Sequence, residues 1–158
     1  MFRCVAGLAL ALFVASDSGL GADAALHRPT LAVKAGPRSV ARFGCPKKPT
    51  STVAIEACQA RHLLKLGRKF NRVAAVLWSV LDPSGRLSFV RAHRAWLTYR
   101  HQQCETEAGA FSGGTAAPVT FGACQLNLTA SRVKQLVRTI SLYCQGRVKT
   151  GRFRRCPP

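Results

Sequence analysis

The chain has 158 residues, and 24 Lys/Arg against six Asp/Glu give it a formal charge of +18. Such an excess repels itself and draws anionic partners over a range that salt shortens. It leaves few carboxylates for glycosidase-type acid–base work, and the length supports one modest core rather than two.

Met1-Phe2-Arg3 supplies a short positive end, Cys4 to Ala15 is an unbroken run of apolar and small residues, and Ala22-Asp23-Ala24 offers an A-x-A cleavage site. That order predicts a secretory signal over residues 1–24, too short in its apolar part to remain as a membrane span. Its removal leaves 23 Lys/Arg against Glu56, Asp82, Glu105 and Glu107, a formal charge of +19. The cysteines fall from seven to six: Cys45, Cys58, Cys104, Cys124, Cys144 and Cys156. An even set in an exported chain reads as a disulfide framework, for which fifteen pairings exist in principle. The expected location is secreted or otherwise outside the cytoplasm, with no transmembrane segment once the signal is cut.

Residues 25–44 hold Pro29, Gly36, Pro37 and Gly44 among scattered cations and show no period, which predicts a flexible basic arm. From Thr50 the pattern turns helical. Leu63, Leu66, Phe70, Val73, Leu77 and Val80 recur at alternating spacings of three and four, so they share one helix face. Ser51 or Thr52 is placed to cap the start, and Asp82-Pro83-Ser84-Gly85 reads as the turn that ends the helix.

A second helix is expected from about Leu87 to Phe111, with Leu87, Val90, Leu97, Cys104, Ala108 and Phe111 on one stripe interrupted by Arg94 and His101. Ala92, Trp96 and Tyr99 form a neighbouring stripe, which predicts a helix sandwiched between two partners. Ser112-Gly113-Gly114-Thr115 breaks it, and Pro118 suits the first turn of a third helix. There Val119, Ala123, Leu126, Ala130, Val133, Val137, Ile140 and Cys144 repeat at the same alternating spacing. The predicted fold is all-α, a three-helix antiparallel bundle stapled by disulfides.

Three stretches carry a resemblance. Cys45 and Cys58 bracket the start of the first helix, followed by Arg94-Ala95-Trp96-Leu97-Thr98-Tyr99-Arg100-His101-Gln102-Gln103-Cys104. Then come Gly113-Gly114-Thr115-Ala116-Ala117-Pro118, Cys124 and Leu128-Thr129-Ala130-Ser131-Arg132. From Cys45 to Ile140 the chain resembles the N-terminal domain family of the lysozyme inhibitor LprI, a group of exported bacterial proteins. The matching motif positions are Trp96, Leu97, Tyr99, Arg100, Gly113, Gly114, Pro118, Thr129 and Arg132. The resemblance implies a compact helical domain over residues 45–144 with local disulfides, lying outside the membrane. It implies no catalytic residues and no cofactor, and for the namesake it implies inhibition of lysozyme. Two features depart from the pattern. Arg100-His101-Gln102-Gln103 stands where relatives often carry acids, and Cys144, Cys156 and the basic tail lie outside the common motif.

With this family in view and the chain layout beside it, the expected bridges are Cys45–Cys58, Cys104–Cys124 and Cys144–Cys156. The first folds the segment before helix one back on it, the second staples helices two and three across the Gly-Gly turn, and the third closes the tail of residues 145–158. Each such loop is worth about 2–4 kcal/mol.

Trp96, Tyr99 and Arg100 are the most distinctive residues. Aromatic residues at helical spacing belong first to the core, so Trp96 and Leu97 are read as interface anchors, with Tyr99 directing its hydroxyl to a polar neighbour. Cys58-x3-His62 and His101-x2-Cys104 have zinc-ligand spacing, but oxidised cysteines do not ligate, so no metal is expected. No Gly-x-Ser-x-Gly elbow occurs, and a Cys–His dyad needs a free thiol. The Asn127-Leu128-Thr129 sequon falls inside a predicted helix and is read as chance.

The cations form two features. Arg61, Lys65, Arg68 and Arg72 run along helix one opposite its apolar face, and Arg147, Lys149, Arg152, Arg154 and Arg155 crowd the loop between Cys144 and Cys156. Both are polyanion-binding candidates, for phosphate or carboxylate groups. No base-reading fold is visible, so sequence-specific nucleic acid is not an expected partner. The expected partners are a lysozyme-type muramidase, whose cleft carboxylates suit an inserted Arg or Lys, or anionic envelope polymers and lipid headgroups. Common lysozymes are themselves basic, so a muramidase and this chain repel each other at long range.

Overall fold

The structure, a computed structural model, describes residues 27–32, 45–148 and 156. The predicted signal over residues 1–24 and residues 33–44 lie outside the described residues. Three helices follow in order: α1 (Thr52–Val80), α2 (Pro83–Gly109) and α3 (Ala116–Val148). No strand occurs among the described residues.

The helix ends follow local chemistry. Ser51 caps α1, its hydroxyl accepting from the Ala54 N–H at 3.3 Å. Asp82 caps α2, its carboxylate accepting from the Gly85 N–H at 2.7 Å, with Pro83 in the first turn where no N–H is needed. The Asp82-Pro83-Ser84-Gly85 signal is therefore the start of α2 rather than a free turn, and α2 begins four residues before Leu87. After α2, Gly113 takes φ +83°, a left-handed turn that a side chain resists. The helix that follows starts at Ala116 and keeps Pro118 in its first turn.

Contacts across the connections set the direction of each helix. Phe70 meets His93 and Trp96, and Arg86 donates to the Trp78 carbonyl, so α2 runs back along α1. Cys104 bonds to Cys124 and Arg100 reaches Thr129, so α3 runs back along α2. The order is up, down, up. The backbone of α3 lies close to both other helices, whereas α1 and α2 are joined chiefly through large aromatic side chains. As expected, α2 meets two partners, α1 through large aromatic side chains and α3 through a disulfide and close backbone, and α3 likewise lies against both other helices.

The core contains Phe70, Ala74, Leu77 and Val80 of α1, Leu81 of the connection, Phe89 of α2, and Val133 and Leu136 of α3. The stripe predicted on α1 lies on this face, with Phe70, Leu77 and Val80 buried and Leu66 and Val73 packed against them. On α3 the buried line drifts. Gln125, Thr129, Val133 and Leu136 are buried, while Val137 is 45% exposed. On α2 the face predicted through Arg94 and His101 passes instead through His93 and Arg100. Leu87 and Phe111, expected on that face, are exposed.

All three expected bridges are present: Cys45–Cys58, Cys104–Cys124 and Cys144–Cys156, with Cα separations of 5.0, 5.5 and 5.7 Å. Helix α3 continues four residues past Cys144, to Val148. Residues 27–32 correct the reading of 25–44 as an arm over their own length. They form no helix or strand, yet Leu31 is 4% exposed within the core. Its N–H donates to the Asn71 side-chain carbonyl at 2.7 Å, and the Asn71 amide donates back to the Leu31 carbonyl at 3.4 Å. A single Leu in an aperiodic stretch carries no spacing to reveal it.

Leu31→Ala and Leu136→Ala should each cost about 2–4 kcal/mol in urea unfolding, the range for emptying a core site. The neighbouring Val137→Ala should stay within about 0.5 kcal/mol, as exposed changes do.

Candidate functional site

Trp96 sits on the inner side of α2, half-buried and stacked on Phe70, with ring centroids 6.0 Å apart and planes 10° from parallel. Two guanidinium groups lie over its ring, Arg100 at 4.8 Å and Arg132 at 5.9 Å. Arg100 stands one turn beyond Trp96 on the same helix, and Arg132 comes from α3. Helical spacing brings the first and antiparallel packing the second.

Polar partners fix both arginines. The Arg100 Nη1 donates to the Thr129 hydroxyl at 3.1 Å, and that fully buried hydroxyl donates to the Gln125 carbonyl at 2.7 Å. The Arg132 Nη1 donates to Gln135 Oε1 at 3.3 Å. Neither arginine pairs with a carboxylate among the described residues, and the Nε of each is buried without an acceptor. Burial lowers the pKa of both, so their charge is carried at a cost that the electron-rich Trp96 face offsets.

His93 completes the cluster. It is 4% exposed, lies between the rings of Phe70, Phe89 and Trp96, and has no hydrogen-bond partner on either ring nitrogen. Burial holds its pKa below 6.5. The nearby Thr30 backbone pulls the other way, and the Arg132 and Arg100 charges add to the lowering. A neutral ring beside two fixed cations is the expected result.

A second feature opens where the helices near the Gly-Gly turn. A cleft of about 750 Å³ is lined by Ala60 and Leu63 of α1, Ala108 of α2, and Ala117, Pro118 and Phe121 at the start of α3. Glu56, Gln59, His101 and Glu105 also line it. His101 Nε2 and Glu105 Oε1 are 3.2 Å apart, and both side chains are largely exposed. Gln59 donates to the Val119 carbonyl at 2.9 Å, and a Cβ on Gly122 would collide with its amide, so α1 and α3 approach closely here.

Of the motif residues, the fold gathers Trp96, Arg100, Thr129 and Arg132 into one cluster and packs Leu97 against the core. Gly113 and Gly114 form the turn, and Pro118 lines the cleft. Tyr99 does not direct its hydroxyl to a neighbour. It is 52% exposed, with no hydrogen bond among the described residues. On α1, Lys65, Arg68 and Arg72 are exposed, while Arg61 is partly buried. The side chain of Arg147, and Lys149, Arg152, Arg154 and Arg155, lie outside the described residues. Cys58 and Cys104 are spent in disulfides, so the two Cys–His pairs lack thiolate ligands. The described residues hold no group of metal-ligating side chains. No helix among them is long and apolar enough to cross a membrane.

Sequence reasoning passed over His93 and the cleft. His93 was legible in one respect, because Val90, His93, Leu97, Arg100 and Cys104 also alternate by three and four. That line holds two polar residues, which hid it.

Residues 45–136 match the family described as lysozyme inhibitor LprI. The match spans all of α1 and α2, α3 as far as Leu136, and two of the three disulfides. No curated protein and no solved structure matches the chain.

The buried His93 should make stability depend on pH. Unfolding returns its pKa to about 6.5, so on acidification the unfolded chain takes up a proton that the folded one refuses. Stability is therefore complete above that value and falls as the pH drops below it. Urea midpoints should decline from about pH 7.5 to pH 5, and His93→Leu should flatten that decline.

Proposed function

The chain belongs to the LprI lysozyme inhibitor family, and we propose that it is an exported, non-catalytic binding protein that inhibits a lysozyme-type muramidase. The observation that carries this reading is the extent of the family match. It covers α1, α2 and α3 as far as Leu136, two of the three bridges, and every member of the Trp96–Arg100–Thr129–Arg132 cluster. Action outside the cytoplasm agrees with three disulfides, which persist in oxidising compartments, and with the predicted signal over residues 1–24. Inhibition by binding needs a surface that holds its shape on contact, and two bridges near the turn end of the bundle favour that.

A second reading rests on charge. Lys65, Arg68 and Arg72 stand exposed along one side of α1, and five further cations lie between Cys144 and Cys156. Such an array suits anionic envelope polymers or lipid headgroups.

Titration of the mature protein into a muramidase assay at several salt concentrations should lower turnover in proportion to complex formed. Unchanged turnover at large molar excess would remove the inhibitor reading. On an anionic polymer column, retention should weaken as salt rises. Replacing Arg147, Lys149, Arg152, Arg154 and Arg155 with Gln should abolish most of it, and retention indifferent to salt counts against the polyanion reading.

A further inference from the structure

The cleft beside the Gly-Gly turn has a composition unlike the rest of the molecule. The chain carries 24 Lys/Arg, yet none of those among the described residues lines this cleft. Two of the four carboxylates outside the predicted signal do, Glu56 from α1 and Glu105 from α2. Its apolar lining comes from Leu63, Ala108, Pro118 and Phe121, with the His101–Glu105 pair largely exposed to solvent. The Oε1 of Gln59, which also lines it, is buried with no donor.

An apolar lining with exposed acid suits a side chain that has an apolar stem and a cationic head. The cleft is also braced. Cys58 lies between Glu56 and Gln59 and is tied to Cys45, while Cys104 and Cys124 lie next to Glu105 and Gln125 and tie two walls together. A cavity held by two bridges loses little freedom on binding.

We propose that this cleft docks a basic, apolar surface segment of the muramidase. An Arg or Lys stem packs against Leu63, Ala108 and Phe121, and Glu56 and Glu105 hold its charged head. This rests on the inhibitor reading and deepens it. Two strongly basic proteins repel each other at long range, so a stable complex needs a local patch of opposite sign. The cleft supplies such a patch.

The test uses the mature protein with its disulfides intact and two ligands: N-octylguanidinium below its micelle concentration, and a basic muramidase. Calorimetry should show the probe binding the wild type, with affinity falling as salt rises. Glu56→Gln/Glu105→Gln should weaken probe and muramidase binding by about tenfold or more each, the loss expected for charge-assisted contacts. Ala108→Phe, which fills the cleft and keeps its acids, should weaken both as well. Circular dichroism and urea unfolding confirm that each variant folds.

A probe that fails to bind, or binds the double variant equally well, overturns the proposal whatever the muramidase does. A wild type and double variant that inhibit equally overturn the docking site and leave the inhibitor reading standing. A wild type that never inhibits removes that reading and the docking proposal with it.

Discussion

Two guanidinium groups lie over the ring of one indole inside this bundle, and no carboxylate among the described residues answers them. A half-buried cation without a counter-charge is costly, and a chain with so few acids has little means of supplying one. Trp96 is the substitute. Its electron-rich ring attracts Arg100 and Arg132 and stacks on Phe70, and the Thr129 hydroxyl takes up one Arg100 donor. The arrangement joins all three helices, because Phe70 comes from α1, Trp96 and Arg100 from α2, and Thr129 and Arg132 from α3. It also accounts for the spacing of the helices. Rings fill the gap between α1 and α2, and the slender α3 face of Thr129 and Val133 lets its backbone come close to both.

The same positive charge explains the reliance on covalent staples. Self-repulsion opposes compaction, and each bridge restricts the unfolded chain with which the folded one competes. Two of the bridges lie near the Gly-Gly turn, away from the ring-filled core, where the helices part to leave the cleft. The third bridge ties the α3 end to Cys156. The bundle is therefore divided along its length. One part is held by aromatic and aliphatic packing, the other by disulfides around an open, acid-lined cavity. That division separates the packed core from the open cleft.

Charge segregation then gives the surface two different faces. Lys65, Arg68 and Arg72 present cations along α1, while Glu56 and Glu105 mark the only region among the described cavities where carboxylates meet an apolar lining. The exposed cations of α1 and the carboxylates of the cleft thus lie on different parts of the surface.

The all-α class, the three helices and the motif residues were legible in the amino-acid order, because alternation by three and four, paired Gly and capping side chains act over a few residues. Phe70, Leu77 and Val80 are core residues, as their spacing implies. Which of two adjacent lines on a helix turns inward was not legible. Tertiary packing chose His93 and Arg100 over Arg94 and His101, and Leu136 over Val137, because a long helix drifts about its axis and the facing side chains decide where it settles. Leu31 was hidden for a related reason: its burial depends on Asn71, forty residues away, whose side chain pairs with its backbone. The gathering of Trp96, Thr129 and Arg132, and of Glu56 with Glu105, likewise arises between helices, where only the folded chain sets the distance.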